Sequence, residues 1–199
     1  MSGIHQFVPV LHRGDAVGRH TLRLRDATRA RGLSSHIFVD LVQAETEGET
    51  LPAPDYEAQA RPGDVVVYQF ATASSMAPWL AGRRETLVVN YHNVTPAEQL
   101  APWDPYLALG QQRALADLEV LAAGAALAVA DSDYNQALLT EAGFAATAVA
   151  DAYASADVLV VTSDHEGFCV PVVEAMAAGL ASAPQRFVGL LLPLVGAAR

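Results

Sequence analysis

The stretch "IHQFVPVLHRGDAVGRHTLRLRDATRARGLSSHIFVDLV", residues 4–42, changes pattern three times. It opens on the apolar run Ile4–Val10, breaks at Leu11-His12-Arg13-Gly14, and continues with Val17, Leu22, Leu24 and Ala27 spaced among arginines. That order predicts a strand, a glycine-bearing turn and a helix over residues 17–31. Gly32 stops the helix, and "HIFVDLV" (36–42) is rich in β-formers, so a β-α-β unit is expected.

The alternation continues. Residues 43–62 are acidic with several prolines and read as a surface connection, whereas "DVVVYQF" (64–70) and "TLVVNY" (86–91) read as strands buried on both faces. A short helix is expected at 74–81. Thr95-Pro96-Ala97-Glu98 has the form of a capping box with proline at the first helical position. Residues 103–123 carry Leu107, Leu115, Leu118 and Leu121 at spacings that suggest one helical face. Ala125–Ala130 then reads as a strand, and residues 134–142 as a helix closed by Gly143. Asp131-Ser132-Asp133 resembles a metal-binding Asp-x-Asp, but its place before "YNQALL" fits a helix N-cap, and no metal site is expected. Strands alternating with helices predict an α/β, doubly wound parallel sheet whose ligands lie at the carboxyl ends of the strands, near residues 12–18, 70–75 and 91–95.

Composition limits the functions. A chain of 199 residues with 52% hydrophobic and 17% charged residues suits one domain, or one domain with part of another. A formal net charge of −10 without a basic stripe excludes a nucleic-acid binder. The single cysteine, Cys169, excludes an internal disulfide and a multi-cysteine metal site, which suits a cytoplasmic protein. The longest apolar runs are shorter than the ~20 residues needed to span a bilayer, so no transmembrane segment is expected, although peripheral attachment to a membrane stays open. Gly14-x-x-x-Gly18 lacks the G-x-G-x-x-G spacing of a dinucleotide fingerprint, and a nicotinamide enzyme is disfavoured.

From Asp151 the pattern starts afresh: a helix end at 151–155, a strand at 157–162, then "HEGFCVPVVEAMAAG" (165–179). Pro171 belongs in the first turn of a helix, where its missing N–H costs nothing. Glu166 therefore falls in the preceding loop at a strand end, and Glu174 in the first turn of the following helix. Gly167 allows close backbone approach, and the free N–H groups of the loop and helix start face the same crevice. Two carboxylates with several N–H donors suit a polyhydroxylated ligand.

"ASADVLVVTSDHEGFCVPVVEAMAAG" resembles the donor-binding segment of retaining glycosyltransferases of the GT-B fold, family 4, with its Glu-x7-Glu motif. The resemblance implies that Glu166 contacts the transferred sugar, that Glu174 contacts the ribose of the nucleotide, and that Gly167, Phe168 and Cys169 lend backbone N–H groups to the sugar. "FVPVLHRGDAVGRHT" and "LVVNYHN" are similar to the acceptor domain of that family. This similarity makes His92 the active-site histidine and Gly14 and Gly18, with Asp15, Arg13 and Arg19, the loop facing diphosphate and acceptor.

The organisation implied is an acceptor-type Rossmann-like domain at 1–150, a partial donor-binding segment at 151–183, and an apolar tail at 184–199. The family's arginine and lysine upstream of the acidic pair have no counterpart, since no lysine occurs in the chain and no arginine lies between Arg113 and Arg186. Part of the donor domain is therefore expected to be missing. The partners implied are a nucleotide-sugar donor, which is a substrate and not a cofactor, and a saccharide or lipid-linked acceptor. The tail packs as an extra strand and helix or drives self-association. Three readings stay open: a sugar transferase, a degenerate non-catalytic relative, and a nucleotide-sugar epimerase.

Overall fold

The computed structural model describes residues 2–145 and 147–148. The elements expected after Ala150, the acidic pair Glu166 and Glu174, residues Gly167 to Cys169 and the apolar tail lie outside these described residues. Within them, twelve elements alternate: β1 (Ile4–Val10), α1 (Ala16–Arg29), β2 (Ile37–Leu41), β3 (Thr50–Pro52), β4 (Val65–Phe70), α2 (Met76–Ala81), β5 (Thr86–Tyr91), α3 (Ala97–Leu100), α4 (Pro105–Gly124), β6 (Ala125–Ala130), α5 (Asp133–Glu141) and β7 (Thr147–Ala148). The strands form one seven-stranded sheet in the order β3-β2-β1-β4-β5-β6-β7, and every neighbouring pair is parallel. This is the α/β, Rossmann-like doubly wound sheet that the alternation predicted.

The two sheet faces follow from the two-residue period of a strand. Ile4, Val65, Val67 and Val88 point to one face and pack with Leu24 of α1. Phe7, Phe38, Tyr68, Phe70, Val89 and Tyr91 point to the other and pack with Met76 and Leu80 of α2 and Leu118 and Leu121 of α4. With both faces covered, β4 and β5 are buried along their whole length, which is why they are apolar apart from Gln69, Thr86 and Asn90.

Three local expectations are corrected. The 43–62 connection contains β3, which pairs with β2, and a 3-10 turn at Ala53–Ala58 that buries Tyr56 completely among Phe7, Phe38 and Trp79. β3 is an edge strand ending on Pro52, a position where the missing N–H breaks no ladder. At 95–98 the helix begins one residue later than expected. Pro96 is extended (ψ 132°) and is itself the N-cap, without a side-chain cap bond, so the Thr95 hydroxyl comes too early to reach the first free N–H groups. In α4 the buried face is Ala108, Gln111, Ala114, Leu118 and Leu121, while Leu107 and Leu115 are over 40% exposed. At 100° per residue Leu115 lies 60° away from Leu118, on the rim of the contact.

Candidate functional site at the carboxyl edge

The sheet order decides where a crevice opens. From β1 the chain moves outward to β2 and β3, and from β4 it moves the other way to β5, β6 and β7. The connections leaving β1 and β4 therefore diverge, the arrangement that in open α/β sheets favours a crevice at the carboxyl ends of these strands.

The first wall is the turn between β1 and α1. Asp15 is the N-cap of α1, and its Oδ1 accepts a hydrogen bond from Gly18 N at 2.6 Å. A Cβ on Gly18 would stand 1.8 Å from the His12 carbonyl oxygen, so only glycine lets the helix start fold this closely over the turn. Gly14 differs: nothing lies within 4 Å of where its Cβ would be. Arg13 forms an ion pair with Glu49, which also accepts from Arg25 Nη1 at 3.3 Å. The Nε of Arg19 is buried without a hydrogen-bond partner among the described residues.

The second wall is the end of β5. His92 N donates to Phe70 O at 2.9 Å, so the residue is held at the strand end by β4. Asn93 follows with φ 72°, the left-handed conformation that asparagine tolerates better than most residues, and Val94 turns back into the core. Asn93 Oδ1 accepts from Val94 N at 2.8 Å and fixes that turn.

Behind His92 runs a buried polar chain that crosses three strands. Gln6 of β1 donates through Nε2 to Thr21 O (2.8 Å), Gln69 of β4 donates through Nε2 to Gln6 Oε1 (2.8 Å), and Asn90 of β5 donates through Nδ2 to Gln69 Oε1 (2.8 Å). His92 Nε2 lies 2.7 Å from Gln69 Oε1 and 3.1 Å from Asn90 Nδ2. His20 of α1 completes the group, with Nε2 3.3 Å from Asn90 Nδ2 and its ring edge-on to His92 at 5.6 Å. Burial lowers the His92 pKa to about 3, helped by neighbouring His20, and burial lowers His20 to about 4. Both imidazoles are neutral at pH 7, which makes them hydrogen-bonding groups and not cations.

On the opposite sheet face, Asp40 at the end of β2 receives the hydroxyls of Ser74 and Ser75, the latter at 3.1 Å, and ties the β4–α2 turn to β2. Among the described residues, no group of three or more His, Cys, Asp or Glu is arranged to hold a metal ion, and no helix is long and apolar enough to cross a membrane. The Asp131-Ser132-Asp133 segment acts as a cap, Ser132 Oγ accepting from Asn135 N at 3.3 Å.

Of the residues singled out by sequence, Arg13, Gly14, Asp15, Gly18 and Arg19 lie in or beside the β1–α1 turn, and His92 lies at the end of β5. α1 brings its His20 against His92, so the helix that begins at the turn also reaches the β5 end. Sequence reasoning missed His20, Gln6, Gln69 and Asn90. The signal was present: "IHQFVPV", "VVVYQF" and "TLVVNY" each place an amide inside an otherwise apolar buried run.

An all-parallel sheet with helices on both faces makes this a Rossmann-like α/β domain, with the polar group at the strand ends where ligands of such sheets commonly lie. More particularly, the family model for glycosyl transferases group 1 matches residues 107–183, a span running from α4 through β7 and on to both acids, Glu166 and Glu174. A match of this kind supports a glycosyltransferase-like role. No curated protein matches the chain significantly.

Proposed function

We propose that this chain is a retaining glycosyltransferase of family 4 that moves a sugar from a nucleotide-sugar donor to a hydroxyl-bearing acceptor. The observation that carries this reading is the span of the family match, which takes in the complete Glu-x7-Glu segment. Residues 1–150 form the acceptor-type domain, residues 151–183 part of the donor-binding unit, and 184–199 an apolar tail. In the reaction the bond from the anomeric carbon to the diphosphate oxygen breaks and a bond to the acceptor oxygen forms. The acceptor loses its hydroxyl proton and the diphosphate leaves with the added negative charge.

In this reading Glu166 accepts hydrogen bonds from the hydroxyls of the transferred sugar, and Gly167, Phe168 and Cys169 donate backbone N–H groups to it. Glu174 holds the ribose hydroxyls. His92, neutral at the end of β5, contacts the donor sugar. The β1–α1 turn, with Gly14, Asp15 and Gly18, faces the diphosphate and acceptor. Arg19 is the local cation best able to meet the diphosphate, because Arg13 is already engaged by Glu49. A carboxylate cannot stabilise the leaving group, so a donor-side cation is what the chemistry asks for.

A second reading is a non-catalytic relative that keeps ligand binding. It is favoured by one observation, the absence of any lysine or arginine between Arg113 and Arg186. The two are separated by measuring nucleoside diphosphate release across a panel of nucleotide sugars, beside binding of the same donors. Turnover that Glu174→Gln abolishes supports transfer. Binding without turnover, weakened by Glu174→Gln, supports the second reading. Neither stands if no donor is turned over and Glu174→Gln leaves binding unchanged.

A further inference from the structure

The polar chain behind His92 has a direction fixed by its far end. Thr21 O is a backbone carbonyl and can only accept, so the group of Gln6 that faces it at 2.8 Å is the amide nitrogen. Gln6 Oε1 then faces Gln69 and accepts from Gln69 Nε2. This leaves Gln69 Oε1 pointing toward β5, where it accepts from Asn90 Nδ2. Reversing either glutamine would set two like groups against each other at 2.8 Å, inside a region where Gln6 and Gln69 are wholly buried.

At His92 the direction becomes a choice of proton. Nε2 lies 2.7 Å from Gln69 Oε1, and if it carried no hydrogen two lone pairs would face each other at that distance. A hydrogen on Nε2 turns the same contact into a short hydrogen bond. Asn90 has two amide hydrogens, one given to Gln69 Oε1 and the other directed to His20 Nε2. Its 3.1 Å approach to His92 Nε2 therefore carries no hydrogen bond. Among the described residues Nδ1 of His92 has no hydrogen-bond partner.

We propose that Gln69 and Asn90 are positioning residues that lock His92 in its Nε2–H tautomer, so that Nδ1 is the lone-pair acceptor His92 offers to a ligand hydroxyl. The ligand half of this statement rests on the glycosyltransferase reading, in which His92 contacts the donor sugar, while the tautomer half concerns the free protein alone. A hydroxyl of the sugar would donate to Nδ1. A phosphate oxygen, having no hydrogen to give at neutral pH, would be rejected there, which assigns His92 to the sugar and not to the diphosphate. The low pKa of the ring keeps that acceptor unprotonated across the neutral range.

The test is long-range nitrogen–proton NMR on the full chain with 15N-labelled histidine, without ligand at pH 7, His92 being assigned by its loss in His92→Gln. Protonated Nε2 and bare Nδ1 are expected. In Gln69→Met the acceptor is gone and the hydrogen freed on Asn90 faces His92 Nε2, so the ratio should move toward Nδ1–H by roughly tenfold, the factor that 1.4 kcal/mol represents. Gln69→Glu, whose carboxylate still accepts, should retain Nε2–H. An Nδ1–H or imidazolium ring in the unaltered protein overturns the proposal, as does an unchanged ratio in a folded Gln69→Met. If that variant does not fold, the unaltered protein's spectrum decides alone. Because no turnover enters this measurement, a failure of the transferase reading and a failure of the lock are told apart.

Discussion

The α-carbon of Gly18 lies so close to the His12 carbonyl that a Cβ there would stand 1.8 Å from its oxygen and 2.7 Å from its carbon. Helix propensity alone would favour Gly18→Ala by about 1 kcal/mol, since the residue is inside α1. The obstacle, however, is backbone and cannot rotate away. Gly18→Ala should therefore destabilise the protein by about 2 kcal/mol or more, as overpacking does. Gly14→Ala, with open space around the new methyl, should stay within about 0.5 kcal/mol. Urea unfolding of the two variants checks this, and equal losses would contradict it.

Asp64 offers a second test, at the amino end of the sheet. It is fully buried and accepts from Gly3 N and Arg61 N, each at 2.7 Å, with the Tyr56 hydroxyl at 3.5 Å. The carboxylate thus anchors the chain before β1 to the turn before β4. Asp64→Ala leaves two N–H groups without their acceptor and should cost about 3 kcal/mol. Asp64→Asn keeps one acceptor oxygen and should lose less. A difference in denaturation midpoint in that order is expected, and an Ala variant as stable as the Asn variant would refute it.

Much of this fold could be read from the chain because the sheet is covered on both faces. Strands β1, β4, β5 and β6 are mostly apolar, so each stands out as a run, and Gly32 (φ 78°) and Gly143 (φ 92°) mark helix ends in the left-handed conformation that suits glycine. β3 escaped because three residues at an edge have no period to detect. The face of α4 escaped because that helix is apolar nearly all round: Leu109 and Val120 are exposed while Ala108 and Ala114 are buried. For the candidate site, the position of His92 just past the end of β5 was legible, because the run before it is apolar and ends there. The grouping of Gln6, Gln69, Asn90 and His20 was not, although each amide stands out within its run, since the four lie far apart in sequence and only the β1-β4-β5 order sets them side by side.

Three histidines whose pKa is lowered on folding impose a pH dependence on stability. Burial lowers His5 to about 4, an effect that nearby Asp64 opposes, and burial lowers His20 to about 4 and His92 to about 3, all from 6.5. A base whose pKa falls on folding takes up its proton first in the unfolded chain. Its contribution is therefore complete above about pH 6.5 and is lost as pH drops from 6.5 toward 4. The fully buried His5 can remove up to about 1.4 kcal/mol per pH unit in that window, and the half-buried His20 and His92 less. Unfolding free energies at pH 7 and pH 5 should differ by several kcal/mol in favour of pH 7. His5→Phe should flatten the slope, and an unchanged slope in that variant would remove His5 from the account.

The contact between α2 and α4 allows a sharper test, because it separates a backbone obstacle from a side-chain one. Gly124 ends α4, β6 begins at the next residue, and a Cβ on Gly124 would lie 2.4 Å from Ala81 O and 3.0 Å from Ala81 Cα. α2 has only six residues and places Met76, Ala77 and Leu80 in the core, so any shift that relieves the clash disturbs those contacts. Gly124→Ala should cost about 2 kcal/mol. The nearest obstacle atoms belong to the main chain, and Ala81→Gly removes none of them. Combining the two substitutions should therefore give a coupling below about 0.5 kcal/mol in a double-mutant cycle. A rescue by Ala81→Gly larger than that would identify the Ala81 methyl as the obstacle, and would mean that the two helices meet through side chains and not through the close main-chain approach that Gly124 permits.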